Sequence, residues 1–554
     1  MKIKSILLIS TLLCASAIGA QESDVYSSQR QGWLEKAISS TPILKTETVR
    51  PAKIVKTVAD PTAYQGWRVN PAGEIGSYIG SSLKDENNKS VIVDFGRHLT
   101  GSFSFRVDLL DRVLDGPIRL RLTFAEVPAE LAVPFDPYHG TISRGWLQDE
   151  IVTVEFTDSV YTLPRRLSGR YMKIDVLGHP TDCDFAMGDI SFTATTSAPE
   201  IGPDVRDIPL SPEFAAIDRT ALATLAECMQ TVYEDGPKRD RRLWIGDVYL
   251  ESLANNLTYK NHDLTRHCLY LLAALANEDG RLHSNVFELP VPHPQRGSFC
   301  YSYSLLFNMA LAEYLSATGD FDTARDLWPV AKAQIDNILT FVDDRGIFDR
   351  FRPGGFNWLF FDWRDGIEES TAMQGLVIMA LEQTADLGRK LTVADDTKSW
   401  NKTADKMRKA ARKYLYDKNE KTFLSGYEGF IPSQKSVLSQ VWMVLADVVP
   451  AKEGAPLLRH ALADPEFIRL GSPYAHHFLV EAMIKCGMND EARALVAEYW
   501  GGMVRKGADT FWEVYDATDD YLSPYRFYPV NSYCHAWSCT PAYLLRRYPA
   551  VFQN

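Results

Sequence analysis

Cysteine is scarce in this chain of 554 residues: there are eight, and no two form a close CxxC pair. Cys14 falls in the N-terminal apolar segment. The other seven, Cys183, Cys228, Cys268, Cys300, Cys486, Cys534 and Cys539, are an odd number and cannot all pair within one chain. A disulfide framework or a zinc site is therefore not expected, and most of these thiols read as small buried hydrophobes. Histidine is also sparse, with 11 residues in no metal-ligand spacing, and the acidic clusters lack the EF-hand pattern. No cofactor is expected, although acidic loops could hold a structural calcium without a linear motif. A basic tract is missing too, and the formal net charge of −12 argues against a nucleic-acid partner. Beyond the first twenty residues no segment is apolar enough to span a membrane. No repeat of fixed length recurs, which disfavours a regular solenoid.

What remains is ordinary globular material, 45% hydrophobic and 23% charged, long enough for more than one domain. Twelve tryptophans and 25 tyrosines suit surfaces that stack on rings or sugars. Residues 1–20 have the form of a secretory signal peptide: Lys2 and Lys4, an apolar run over residues 6–13, then Ile18, Gly19 and Ala20 before Gln21. Leu13 before Cys14 is poor for lipoprotein processing, so the expectation is soluble export to the periplasm or beyond. Residues 21–53 are polar and aperiodic apart from a short helical stretch near residues 33–38, and read as a leader or linker. Over residues 54–200 the pattern is that of strands. VIVDFG at 91–96, SFSFRV at 102–107, IRLRLTF at 118–124, IVTVEF at 151–156 and YMKIDV at 171–176 suggest a β-sandwich of jelly-roll type. A Pro- and Asp-rich stretch, residues 198–212, marks the boundary. From there to residue 554 the periodicity is helical, in paired amphipathic stretches that make one large α-domain.

The loops carry the unusual chemistry. Residues 235–247, DGPKRDRRLWIGD, crowd three aspartates, four basic side chains (Lys238, Arg239, Arg241, Arg242) and Trp244 into one turn. Carboxylates beside guanidinium groups stay ionised, and the same groups can hold a polar ligand. The plainer reading is a basic surface loop in which Asp247 caps the next helix. Residues 356–369, FNWLFFDWRDGIEE, combine four acids, an arginine and aromatics; residues 507–516, GADTFWEVYD, repeat that recipe, and residues 531–537, NSYCHAW, precede the last helix. Singly, such acids are caps and such tryptophans are core. Together they suit a sugar, whose C–H faces stack on aromatics and whose hydroxyls take hydrogen bonds from acids and arginines.

These motifs resemble glycoside hydrolase family 78, the inverting α-L-rhamnosidases, within the six-hairpin (α/α)6-barrel glycosidases. The family's central motif, roughly DCPQRERLGWTGD, is matched at Asp235, Pro237, Arg239, Arg241, Trp244, Gly246 and Asp247. Its base loop, A-T-T-x-W-E, resembles ADTFWE at 508–513, and its late S-x-N-H segment is similar to residues 531–535. Thr318-Gly319-Asp320, Phe361-Asp362-Trp363 and Val93-Asp94-Phe95-Gly96-Arg97 resemble smaller elements, so the likeness covers most of residues 90–545. It implies an accessory sandwich before a catalytic (α/α)6 barrel, and an exported enzyme that removes a terminal α-L-rhamnose or similar deoxy sugar from an oligo- or polysaccharide. Asp240 would be the general acid and Glu513 the general base, with Asp235, Arg239, Trp244, Asp247, Asp362, Trp363, Trp512 and His535 around the sugar. Asp240 stands where the family has glutamate and would set the proton donor about 1.5 Å further back; Gly236 and Lys238 replace cysteine and glutamine. Arg239 and Arg241 favour an ionised Asp240, whereas Asp235 and Asp247 favour its protonated form. Two alternatives stand beside this reading. One is a six-hairpin glycosidase for another sugar, including a uronide held by Lys238, Arg239 or Arg364. The other is a carbohydrate-binding protein without turnover.

Overall fold

The computed structural model describes residues 24–352, 358–393, 397–426 and 434–553. The signal-like residues 1–20, and Phe356 and Asn357 of the second aromatic loop, lie outside the described residues. Helix α1 (Arg30–Ser39) leads into nine strands, β1 (Lys45–Val49), β2 (Lys53–Ala59), β3 (Trp67–Glu74), β4 (Ser90–Leu109), β5 (Ile118–Ala125), β6 (Asp149–Val154), β7 (Val160–Thr162), β8 (Leu167–Gly178) and β9 (Phe185–Thr196), with the short helix α2 (Ala129–Ala132) after β5. Every pairing among them is antiparallel.

Strand β4 is the hinge of this domain. Its first half, Ser90 to Asp94, pairs with β8 and β2; the β8 pairing shifts register between Asp94 and Leu99 and ends at Gly101, and from there the second half pairs with β9 and β7. Gly96, with φ +85°, supplies the left-handed conformation at that bend. One strand thus serves two layers, with the core between them. Period two dictates which side chains enter it: Phe103, Phe105 and Val107 are fully buried while Ser104 and Arg106 are not. Phe103, Phe124 and Phe192 meet there, and each such ring contributes about 1.5–3 kcal/mol by leaving water.

The stretch read as a leader is a tether instead. Helix α1 buries Trp33, Arg30 donates to the carbonyls of Ala274 and Ala276 in the helical domain, and β1 then joins the sheet beside β9. Its polar composition hid this, because α1 buries only Trp33 and Ala37.

Beyond α3 (Pro203–Arg206) lie α4 (Pro212–Cys228), β10 (Leu243–Trp244), α5 (Ile245–Leu257), α6 (His262–Ala274), β11 (Asn285–Phe287), β12 (His293–Pro294), α7 (Tyr301–Thr318), α8 (Phe321–Leu339), α9 (Ser370–Leu391), α10 (Thr397–Tyr414), the hairpin β13 (Tyr416–Asp417) and β14 (Thr422–Phe423), α11 (Val437–Leu445), α12 (Ala451–Ala463), α13 (Pro473–Lys485), α14 (Asn489–Arg505), α15 (Pro541–Arg547) and α16 (Pro549–Phe552). Helices α5, α7, α9, α11 and α13 each pack on the next, and residues 536–547 close the ring between α13 and α5. Helices α6, α8, α10, α12, α14 and α4 sit outside them. This is the six-hairpin barrel that the resemblance implies. Sequence explains the layering: α11 is apolar almost all round and buried, whereas α10 buries one stripe, Trp400, Ala404, Met407 and Ala411. The Thr318-Gly319-Asp320 element is a hairpin turn, in which Gly319 (φ +69°) ends α7 and Asp320 caps α8 by accepting from the Thr323 amide.

Candidate active site

The 235–244 loop leaves α4, doubles back on itself and enters α5. Both oxygens of Asp235 accept from the loop's own amides, Asp240 N–H at 2.9 Å and Arg242 N–H at 3.0 Å. Gly236 lets the loop lie against residues 532–534, since a Cβ there would stand 2.4 Å from the Arg239 carbonyl and 2.5 Å from Ser532 Oγ. Glycine at position 236 thus has a local steric reason. Asp247 does not cap α5: Trp244 holds the cap position and Asp247 sits in the first turn, buried and facing inward.

The loop opens on a cleft of about 390 Å³ at the barrel mouth, lined by Asp235, Arg239, Asp240, Trp244, Asp247, Trp363, Glu513 and His535 among others. Eight of the ten expected site residues therefore share one cavity. The other two do not. Trp512 is stacked on Tyr64 of the β-domain at 4.0 Å and belongs to the core between domains. Asp362 turns away to accept from Ser472 Oγ and the Gly471 amide, and burial raises its carboxyl to about 6. Both lie next to a residue that does line the cleft, and in an aperiodic loop adjacent side chains can part company.

Arg239 is the hub. Its Nε donates to the Val530 carbonyl, one terminal nitrogen donates to Glu513 Oε2, and the other lies 3.4 Å from Asp240 Oδ1 and 3.2 Å from the Tyr525 hydroxyl. One guanidinium thus spans both carboxylates and keeps them within about 8 Å, two hydrogen bonds plus its own width. Glu513 also accepts from the Tyr525 hydroxyl and the Ser532 amide, which leaves one of its roughly four lone-pair sites for a further donor. Asp240 is less engaged, with Arg242 Nη1 at 3.5 Å from Oδ2. Arg241, expected at its flank, instead donates to the carbonyls of Pro237 and Arg166.

The remaining groups are polar but close to neutral. Burial, reinforced by Asp240, pushes Asp235 up to about 8; burial, with Asp235 and Glu513 nearby, raises Asp247 well above the carboxylate range. Burial beside Arg239 holds His535 well below the usual imidazole value. Asp247 Oδ1, both ring nitrogens of His535 and Trp363 Nε1 have no hydrogen-bond partner among the described residues, and His535 Nε2 stands 3.6 Å from Asp247. Buried polar atoms of this kind are suited to ligand hydroxyls.

Sequence reasoning missed Tyr303, Trp358, Phe360, Tyr525 and Trp537, all lining the cleft. Phe360 stacks on Trp537 at 5.6 Å and meets Trp363 edge-on at 5.1 Å, and Trp537 Nε1 donates to the Glu513 carbonyl. Their aromatic neighbourhood was visible, but a core tryptophan and a site tryptophan look alike in sequence. Of the three cations considered for a uronide, Lys238 is sequestered by Glu126 and Glu130, Arg364 is near Asp516, and only Arg239 lines the cleft.

Two family models match the chain: the glycosyl hydrolase family 78 alpha-rhamnosidase N-terminal domain over residues 51–194, and the bacterial alpha-L-rhamnosidase 6 hairpin glycosidase domain over residues 211–548. Among solved structures it is similar to a rhamnosidase from Klebsiella oxytoca with rhamnose bound, at 36% identity and TM-score 0.88, covering 94% of this chain and 99% of that one. The fold is shared with the GH78 rhamnosidase of Bacillus sp. GL1 (20% identity, TM-score 0.68, 82% of this chain and 46% of that one). It is shared also with the Streptomyces avermitilis α-L-rhamnosidase complexed with L-rhamnose (16%, 0.63, 91% and 44%). No curated protein matches the chain.

Proposed function

The chain belongs to glycoside hydrolase family 78 and is a glycoside hydrolase, and from that premise we propose that it removes a terminal α-L-rhamnose by inverting acid–base hydrolysis. The observation that carries the proposal is the single guanidinium of Arg239 between Asp240 and Glu513 in one cleft. Asp240 gives a proton to the glycosidic oxygen as the bond to the leaving group breaks. Glu513, held as an acceptor with one lone pair to spare, takes a proton from water attacking the opposite face. An inverting pair stands roughly 6.5–9.5 Å apart, and the span set by Arg239 is compatible with that range.

Asp247, held protonated by its burial, and neutral His535 offer both donors and acceptors to the sugar hydroxyls without a net charge. The aromatic wall of Phe360, Trp363 and Trp537 gives the methyl group of a 6-deoxy sugar an apolar surface to cover. Two carboxylates account for both proton transfers, so turnover needs no transition metal; activity lost in chelator and restored by zinc alone would refute this. Residues 1–20 would direct the enzyme to the periplasm or the exterior, where it would act on an oligo- or polysaccharide, and the secreted protein should begin at Gln21. Among the described residues no helix is long and apolar enough to cross a membrane.

The deciding experiment sets the purified protein against a panel of aryl α- and β-glycosides and follows the first-released sugar by proton NMR. Cleavage of the α-L-rhamnoside with β-L-rhamnose appearing first is the expected result. Cleavage of another glycoside in preference, or release of the α-anomer, overturns the reading.

A further inference from the structure

Besides Arg239, a side chain of the β-domain bridges the two catalytic loops. Glu126, fully buried, directly follows β5. Its Oε2 accepts from Lys238 Nζ at 2.9 Å and from the Tyr533 amide at 2.7 Å, so one oxygen touches both loops. Lys238 stands two residues before Asp240. Tyr533 follows Ser532, whose carbonyl accepts from the Glu513 amide at 3.0 Å and whose own amide donates to Glu513 Oε2 at 3.3 Å. The other oxygen of Glu126 is fixed by His98 Nε2 at 3.1 Å and Ser168 Oγ at 3.4 Å. Glu130, from α2, completes the cluster: it contacts Lys238 Nζ at 2.7 Å and accepts the amides of Glu126 and Val127.

The charges match. Burial opposes ionisation of Glu126, but Lys238 and His98 outweigh it and hold the carboxyl at about 2, while His98 is raised and stays protonated in return. Buried ion pairs are weak contributors to net stability, and their best-supported use is to select one geometry. Here the geometry selected is that of two loops on a different domain.

We propose that Glu126 is a positioning residue for the hydrolysis: its carboxylate, clamped between Lys238 and the Tyr533 amide, sets how Asp240 and Glu513 face each other across the cleft. The inference rests on the assignment of that pair as acid and base. A displacement of the order of 1 Å at a reacting group can cost about a hundredfold in rate, so the clamp governs turnover more than sugar binding.

The test compares Glu126→Gln and Glu126→Asp with wild type on aryl α-L-rhamnosides of graded leaving-group acidity, alongside binding of free rhamnose. Glu126→Gln keeps an acceptor for the Tyr533 amide and loses the charge opposite Lys238. Glu126→Asp keeps the charge, should it be needed for folding, and withdraws it by a methylene. In the folded variants kcat should fall about 10- to 100-fold with KM and rhamnose binding nearly unchanged, and the fall should be greatest for the poorest leaving groups. A merely structural role would reduce the active fraction and scale every substrate equally; that outcome, or wild-type kinetics in both variants, overturns the inference alone. A wild-type protein that cleaves no α-L-rhamnoside overturns the catalytic reading and this inference with it.

Discussion

Asp240 and Glu513 stand in unlike surroundings, and that difference makes separate predictions. Glu513 is 1% exposed and accepts three hydrogen bonds, so Glu513→Gln should keep the fold and rhamnose binding. Its kcat should fall about 10²- to 10⁴-fold, the usual contribution of a general base. Asp240 keeps only long contacts to two guanidinium groups, so Asp240→Asn should fold normally. It should lose far more rate on natural glycosides than on activated aryl glycosides, whose leaving groups need little protonation. Equal losses on both would remove Asp240 from the acid's role. A third carboxyl, Glu251, is used by no step of the reaction. It is buried on α5 with neither oxygen partnered among the described residues, and burial, with Asp247 and Asp235 nearby, raises it well above the usual range. Its folded value exceeds its unfolded one, so the stability linked to its proton is complete below about pH 4.5 and is lost as pH rises. Glu251→Gln removes that loss. Denaturant titrations should show the variant gaining on wild type as pH rises from 5 to 8; a constant difference would contradict the assignment.

At the scale of the element, the 235–244 loop is held by backbone contacts as much as by charge. The Asp235 carbonyl accepts from the Ala536 amide at 2.7 Å and the Gly236 carbonyl accepts from the Arg241 amide at 3.1 Å. Arg241 adopts a left-handed φ of 61°, a conformation costing on the order of 1 kcal/mol that its two carbonyl contacts offset. Gly236 is the tightest point. Gly236→Ala should force the loop off residues 532–534, lower stability by about 1–3 kcal/mol and reduce kcat together with it. Thermal melts and kinetics on the same preparation check this, and an unchanged variant would mean that the loop gives way easily. Helix α5 shows the same closeness: a Cβ on Gly246 would stand 2.4 Å from the ring of Tyr303, which lines the cleft.

The two domains are bound at several buried points. Besides Glu126 and Lys238, Tyr64 stacks on Trp512, Gln65 donates to the Tyr533 hydroxyl, Arg166 pairs with Glu234, and α1 docks on the barrel. Ile142, from the β-domain, reaches the cleft itself, and the Thr141 amide donates to the Tyr525 carbonyl. Separating the domains would break the contacts of Lys238 with Glu126 and Glu130 and expose the buried Tyr64–Trp512 stack to water. Calorimetry of the full chain should therefore give one cooperative transition, with the β-sheet and helical signals lost together. Two resolved transitions would show that the domains are energetically independent.

Periodicity decided the elements. Alternation along residues 102–107 and 118–124 could only sit on a strand with one buried face, and the helical stripes beyond residue 212 only on paired helices. The dense loop at 235–247 was legible as a site because seven charged side chains in one turn need partners wherever they go. Which partners they find is a different matter. Lys238 was read as a candidate ligand group, yet it pairs with Glu130, 108 residues earlier. Trp512 is turned from the sugar by Tyr64, and Asp362 by Ser472. Tyr525 and Trp537 enter the site by contacts with Glu513 that no local pattern announces. Loops have no period, so the direction of each side chain there follows from long-range packing and hydrogen-bond satisfaction. The kinds of residue at the cleft were therefore set by sequence, and the choice between neighbours such as Asp362 and Trp363, or Trp512 and Glu513, was made only by the tertiary fold.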